Sequence, residues 1–226
     1  MKINMYGIMI IVSLIANVLV TIPMTRKLKI DKTLIFALHV YNIIGIILGA
    51  YGMSYLTTGR GGFSSIGGVI GGILMVCLFG LQTKVNIKKL ISIFLIPVPL
   101  MYGLGKFGCF CAGCCYGIHY DGIGHIIYHS SKVAPHNISL FPVQLLECIV
   151  FILIFVYICF IKKKFNQEKL IGMIFIICGV FKFLLDYLRQ SHVGVVLSTN
   201  QVLCLVFIIL GFVFIYNSKI KKDGYK

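Results

Sequence analysis

The sequence has little charge. Only 12% of its residues are Asp, Glu, Lys or Arg, and only six of these are acidic. A soluble domain carries roughly a quarter charged residues, so an ordinary soluble fold is excluded. With 59% hydrophobic residues and a mean hydropathy of +0.99, the chain reads as a membrane protein. The scarcity of acids leaves a formal net charge of +15. That charge does not point to nucleic acid, because the basic residues sit in short clusters between apolar runs and no soluble module offers a basic face with readout residues. No small-residue cleavage site follows the first apolar run, so it reads as a retained span and not as a signal peptide. There is no internal repeat, no low-complexity linker and no separate soluble domain. Residues 1–226 therefore read as one membrane domain.

What is present is a series of apolar runs long enough to cross a bilayer, which takes about 20 residues. Seven stand out: 5–24, 33–56, 64–81, 90–104, 143–161, 170–188 and 198–216. The fourth is short and contains Pro97 and Pro99, which predicts a kinked, tilted or re-entrant segment. The charges test the count independently. Arg26, Lys27, Lys29 and Lys32 follow the first run; Lys84, Lys88 and Lys89 follow the third; Lys162, Lys163, Lys164 and Lys169 follow the fifth; Lys219, Lys221, Lys222 and Lys226 close the chain. The intervening loops carry only Arg60, then Lys106 and Lys132, then Arg189. This alternation predicts an all-α polytopic protein of seven transmembrane helices, with the N-terminus outside and the C-terminus cytoplasmic. The segment at about 105–141 then lies at the outer face, as do the turns at 59–65 and 189–198.

Ionisable residues within membrane spans are costly and are functional candidates by default. Gln144 and Glu147 in "FPVQLLE" are three apart and share a helix face. In "FKFLLDYLRQ", Lys182, Asp186 and Arg189 also share a face, and Asp186 is expected to pair with one of the two cations. Arg189, at the outer interface, has a guanidinium fork suited to a phosphate or carboxylate. "GGFSSIGGVIGG" places Gly67, Gly68, Gly71 and Gly72 where small residues let a helix or a lipid headgroup approach the backbone.

Residues 105–117, "GKFGCFCAGCCYG", hold Cys109, Cys111, Cys114 and Cys115. Four readings stand. A metal site has the thiolates it needs, with His119, His125, His129 and His136 as possible partners. Against it, adjacent Cys114 and Cys115 do not easily point at one ion, and no second ligand pair follows at a finger-like distance. A disulfide, Cys109–Cys114 or Cys111–Cys115, is allowed outside the membrane. A nucleophilic thiol needs a base or cation, and Lys106, His119 or Glu147 offers one. The simplest reading makes the cysteines small fillers in a glycine-punctuated segment.

The glycines of this stretch resemble the signature of the bacterial prolipoprotein diacylglyceryl transferases, G-R-x-G-N-F-x-N-x-E-x-x-G. Gly105, Gly108, Phe110 and Gly117 match. Lys106 stands at the signature arginine, Cys109 and Ala112 at asparagines, and Cys114 at a glutamate. Five more blocks follow the family's order. "MYGIMI" is similar to W-Y-G-[LI]-M and places Tyr6. "GGFSSIGGVIGG" is similar to G-G-[ML]-x-F-H-G-G-L-x-G, with Ile66 at the histidine. "FPVQLLE" resembles H-P-[ST]-Q-L-Y-E. "FKFLLDYLRQ" resembles R-F-x-x-E-F-x-R, with Arg189 at the second arginine. "STNQVLCLVFIILG" resembles the closing motif through Gln201 and Gly211.

The resemblance implies a multi-pass enzyme of the bacterial cytoplasmic membrane with its active site toward the outer leaflet. The implied reaction moves a diacylglyceryl group from phosphatidylglycerol, or a similar anionic lipid, to the cysteine thiol of a lipoprotein precursor peptide, releasing glycerol phosphate. It implies catalytic roles for Lys106, Arg189, Glu147 and Tyr6, and substrate binding by Gly105, Gly108, Cys109, Cys114, Gly117, Gln144, Gly67 and Gly68. No cofactor, metal or nucleic acid is expected. The departures at Ile66, Lys106, Cys109, Ala112 and Cys114 keep two alternatives open: a related enzyme with a covalent or redox cysteine at Cys109 or Cys114, and a non-catalytic lipid-binding paralogue.

Overall fold

The computed structural model describes residues 5–59 and 61–223, with side chains as far as Lys219; Arg60, Lys226 and the side chains of Lys221 and Lys222 lie outside the described residues. The chain is mostly α-helical. Its helices are α1 (Met5–Thr25), α2 (Lys32–Thr58), α3 (Ser65–Thr83), α4 (Ile87–Leu95), α5 (Val98–Ala112), α6 (Val143–Ile161), α7 (Gln167–Asp186) and α8 (Thr199–Asp223). One two-residue strand pair, β1 (Ile126–Ile127) and β2 (Ser139–Leu140), lies in the segment between α5 and α6.

Six helical units among the described residues are long and apolar enough to cross a membrane: Met5–Leu28, Lys32–Thr58, Ser65–Thr83, Ile87–Ala112, Val143–Ile161 and Thr199–Lys219. Large apolar side chains such as Leu19, Phe36, Leu48, Phe160 and Phe212 are exposed along them, as expected of faces that meet lipid. The helix α7 has 20 residues but carries Glu168, Lys169, Lys182 and Asp186, which keeps it out of that group.

The fourth run departs most from its expected bounds. It is a 26-residue unit, α4 and α5 joined at Ile96–Pro97. Pro97 and Pro99 supply no backbone N–H, so the ladder breaks there, and α5 restarts with Met101 N–H donating to Pro97 O at 2.9 Å. The helix then runs on to Ala112. The first half of the glycine–cysteine stretch is therefore helical, and non-helical backbone begins only at Gly113. Gly113 is the helix stop: it takes a left-handed conformation (φ 73°), and Cys114 N–H reaches back to Cys109 O at 3.1 Å.

Glycines set the closest helix contacts. A Cβ on Gly71 would stand 2.1 Å from Gly45 O, and one on Gly67 would stand 2.3 Å from Gly49 O, so α2 and α3 meet backbone to backbone. Gly172 of α7 and Gly211 of α8 meet the same way. Polar groups join α1 to α2, where Asn17 Nδ2 donates to Asn42 Oδ1 at 2.7 Å and Thr21 Oγ1 lies 3.1 Å from His39 Nε2. The core gathers Leu95, Ile96, Phe151, Ile154, Ile158, Ile171 and Ile174 where the α4–α5 joint packs on α6 and α7. Lys88, in α4, pairs with Glu168, in α7, so the basic turns after α3 and α6 lie at the same end of the bundle.

The glycine contacts give a direct test. Gly71→Val puts a branched side chain against backbone that has no room to move, and overpacking of this kind costs about 1–3 kcal/mol or more. Thermal unfolding of detergent-purified protein is expected to show a clear drop for Gly71→Val. Gly52→Ala, where a Cβ would meet nothing within 4 Å and alanine is the better helix former, should not lower the transition.

Candidate active site

The charged residues that the sequence placed inside spans converge on Glu147, near the start of α6. Its carboxylate is fully buried (0% exposed), with Lys106 at 7%, Lys182 at 7%, Arg189 at 6% and Asp186 at 2%. Arg189 Nη2 donates to both Glu147 oxygens, at 2.5 Å to Oε1 and 2.8 Å to Oε2. Lys106 Nζ lies 3.2 Å from Oε2 and Lys182 Nζ lies 3.4 Å from Oε1. Tyr102 donates its hydroxyl to Oε1 at 2.6 Å and accepts from Arg189 Nη2 at 3.1 Å. Asp186 completes the set: Lys182 Nζ is 3.3 Å from its Oδ1, Arg189 Nε is 3.6 Å from the same oxygen, and Ser198 Oγ donates to Oδ2 at 2.5 Å. Asp186 thus meets both flanking cations, where the sequence predicts a pair with one.

Each member is placed by local chain geometry. Tyr102 and Lys106 are four apart on α5 and share a face, and the Lys106 ammonium lies 5.2 Å from the Tyr102 ring centre. Lys182 and Asp186 repeat that spacing on α7. Arg189 lies beyond α7 in extended backbone and is held by a short ladder: Ile118 N–H donates to Leu188 O at 3.1 Å and Gln190 N–H to Tyr116 O at 3.2 Å. Gly117 stands opposite Arg189 in this ladder. A Cβ there would lie 2.3 Å from Phe141 O, so only glycine lets the three chain segments meet.

The cysteines form a second group. The sulfur atoms of Cys109, Cys114 and Cys115 lie within 4.8 Å of one another, while Cys111 is exposed and outside the group. The left-handed backbone of Cys115 (φ 55°) turns two adjacent cysteines toward one point, which the sequence reading did not expect. All nine cysteines are free thiols, so neither expected disulfide is present. The Cys115 thiol is held below the ordinary thiol range, first by hydrogen bonds from Cys109 and Cys114 and then by the Lys106 charge; Arg189 acts in the same direction. The thiol group therefore borders the charged one.

The other expected site residues divide. Tyr6, in the first turn of α1, is half-buried and within electrostatic reach of the three sulfurs. Gly108 lets α1 come close, since a Cβ there would sit 2.9 Å from Met9 Cβ. Gln144 is fully buried and donates to Cys114 O at 2.9 Å, pinning the cysteine turn, while its Oε1 has no partner. A Cβ on Gly105 would meet nothing within 4 Å, so this glycine is not required by packing. Gly67 and Gly68 are buried with their closest contacts on α2, as helix-packing residues. Tyr102 was not among the expected residues. The available signal was its position one turn before Lys106, but a tyrosine within an apolar run looks like packing.

The arrangement defines a class: a polytopic helical protein that gathers five charged groups beneath a short capped segment at one end of its bundle. The sequence profile of the prolipoprotein diacylglyceryl transferase family matches residues 1–217, and the chain belongs to that family. It is similar to the phosphatidylglycerol–prolipoprotein diacylglyceryl transferase of Clostridium tetani, 30% identical over 96% of this chain and 93% of that protein. It is also similar to phosphatidylglycerol–prolipoprotein diacylglyceryl transferase 2 of Clostridium perfringens, at 28% over 96% of this chain and 91% of the relative. A Campylobacter hominis protein of the first name is 28% identical over 94% of this chain and 85% of its own length.

Removing one member of a buried charge network typically costs about 3–5 kcal/mol because its partners are left uncompensated. Glu147→Gln leaves three cations around a neutral amide and is expected to destabilise by that order. Adding Lys182→Met should recover part of the loss. Thermal unfolding of the two single variants and the double variant reads the coupling; simple additivity would contradict the network.

Proposed function

We propose that the chain transfers a diacylglyceryl group from phosphatidylglycerol to the cysteine thiol of a lipoprotein precursor, with Arg189 and Lys106 holding the lipid phosphate. The observation that carries this reading is the charge balance of the buried site. Three cations, Lys106, Lys182 and Arg189, face two carboxylates, Glu147 and Asp186, so the site keeps one unit of positive charge. A phosphodiester carries one negative charge and would neutralise it. The names of the relatives supply the donor and acceptor.

The residues divide the work. Glu147 holds the cations in place while its own charge is spent on them. Arg189 uses Nη2 for Glu147 and Tyr102, and among the described residues Nη1 makes no hydrogen bond, which leaves it for a phosphate oxygen. Lys106 adds a point charge where the family signature has an arginine fork. The acceptor thiol gives up its proton to solvent, its sulfur bonds to the glyceryl carbon, the carbon–oxygen bond breaks, and glycerol phosphate leaves with the electron pair. Cations already in place stabilise that developing charge without reorganisation. Tyr6 lies beside the cysteine turn and orients the headgroup from α1. The glycines at 105, 108 and 117, with Gln144, shape the backbone around the lipid, and Gly67 and Gly68 support the neighbouring helix pair.

This reading takes α7 as a seventh span whose inner charges are neutralised within the site. It places the N-terminus outside, the C-terminus in the cytoplasm and the 113–142 segment at the outer leaflet of a bacterial cytoplasmic membrane. The alternation of basic and non-basic loops supports that orientation, and the pairing of Lys88 with Glu168 supports a shared cytoplasmic end for two of the basic turns.

The decisive test is complementation of a bacterial strain depleted of its own diacylglyceryl transferase, with transfer to a lipoprotein peptide measured in membranes. Rescue is expected. Lys106→Ala and Arg189→Ala should each lower transfer by about a hundredfold or more, whereas Lys106→Arg, which keeps the charge but not the compact ammonium, should fall between alanine and the native lysine. Full transfer by the Lys106→Ala/Arg189→Ala double variant would overturn the assignment.

A further inference from the structure

The reading above leaves the three thiols with no chemical task. Their arrangement as three is more than a disulfide uses. A disulfide consumes two sulfurs and strands the third, whereas Cys109, Cys114 and Cys115 converge as a trio within 4.8 Å. In a tetrahedral zinc–thiolate site, with zinc–sulfur bonds of about 2.3 Å, the sulfurs stand about 3.8 Å apart. The trio therefore needs to close by only about an ångström, within the range of small side-chain rotations. Among the described residues no histidine, aspartate, glutamate or fourth cysteine joins the group. Three protein ligands with a vacant fourth direction is the pattern of zinc sites that take an exchangeable ligand. The trio also grades from buried Cys109 through half-buried Cys114 to exposed Cys115, which gives a path from the surface. Three thiolates with a divalent cation carry one net negative charge. The Lys106 ammonium, which acts electrostatically on all three sulfurs, lies beside that charge.

We propose that Cys109, Cys114 and Cys115 form a thiolate site for a soft divalent cation of the zinc type, with the fourth coordination position open to an incoming thiol. The second half of this proposal rests on the reading of the chain as a transferase acting on a cysteine. Each protein thiol releases its proton to solvent as its sulfur binds. The acceptor thiol does the same on entering the fourth position, and so reaches the glyceryl carbon as a thiolate. Soft thiolate ligands select zinc-type ions over the hard cations that oxygen ligands prefer. This matches a sequence in which two sulfurs stand at signature positions that are an asparagine and a glutamate elsewhere in the family.

The test uses the purified full chain in detergent, reduced with a phosphine that does not compete for metal, and titrated with cobalt(II) as a coloured zinc substitute. A sulfur-to-cobalt charge-transfer band saturating at about one cobalt per chain is expected. Cys109→Ser, Cys114→Ser and Cys115→Ser should lose or sharply weaken it, and Cys111→Ser should keep it. Absence of the band in the unsubstituted protein, or its survival when all three are serine, overturns the site, and the first of these needs no variant to fold. Adding an acceptor peptide with one cysteine should intensify the band, while the same peptide with serine should not. An unchanged spectrum with the cysteine peptide overturns the open fourth position alone. Diacylglyceryl transfer is assayed in parallel, so failure of the transferase reading shows as absent transfer with the cobalt band intact.

Discussion

The Glu147 carboxylate is the constraint on which the rest of this structure depends. A fully buried anion in an apolar bundle is tolerable only when it is paired and hydrogen-bonded, because desolvation costs several kcal/mol per charge. Glu147 meets that demand with groups from three elements: Tyr102 and Lys106 on α5, Lys182 on α7, and Arg189 just beyond α7. Packing density alone would not specify how α5, α6 and α7 rotate about their axes. A carboxylate that must meet an arginine, two lysines and a phenol fixes all three rotations together.

The surrounding chain serves that requirement. The break at Ile96–Pro97 lets α5 restart on its own axis, so Tyr102 and Lys106 present one face toward α6. Gly103 allows that approach, since a Cβ there would lie 3.0 Å from Cys148 O. The Gly117 ladder then carries the chain back to Arg189. The guanidinium thus sits on the rigid end of a hydrogen-bonded segment, which suits a group that must meet two carboxylate oxygens at once. Asp186 keeps the second cation pair from repelling across the site. The result is one unit short of neutral, and the charge balance is as much a property of the fold as of the residues.

Much of the architecture was legible from charge and hydropathy. The apolar runs predicted 143–161 to the residue and the other long helices to within three residues at each end, except that α8 runs on past 216 to Asp223, because desolvation leaves few ways to place so apolar a chain. The other exception was the proline-containing run, whose continuation to Ala112 hid behind Lys106 and the cysteines. These residues read as loop, yet Lys106 is held inside the helix bundle by Glu147 and Cys109 is buried beside it. Lys106 read as a loop residue and stood out through the family resemblance, whereas Glu147, Lys182, Asp186 and Arg189 were legible for the same energetic reason, because ionisable residues within a span are too costly to bury without a purpose. Tyr102 was not, since a tyrosine is at home in an apolar stretch. Nor was the convergence of Cys114 and Cys115, which depends on a left-handed residue that no local pattern announces for cysteine.

Lys106 joins the two groups and bears on why the departures from the family signature occur together. It touches Glu147 on one side and acts on three sulfurs on the other. An arginine at this position would bring a planar fork matched to oxygen acceptors, and asparagine and glutamate neighbours would supply them. With Cys109 and Cys114 at those positions, the acceptors are larger, softer and bond weakly to N–H groups. A compact ammonium then suits the site better than a fork, because it stabilises thiolate charge without demanding directed hydrogen bonds. Replacement of an arginine by lysine, of an asparagine and a glutamate by cysteine, and of a second asparagine by alanine is then one coordinated change in the hardness of the ligand set. The buried charge pairs do not involve the sulfurs and lie on the other side of Lys106, so the thiol-facing half of the site is separate from the half that surrounds Glu147.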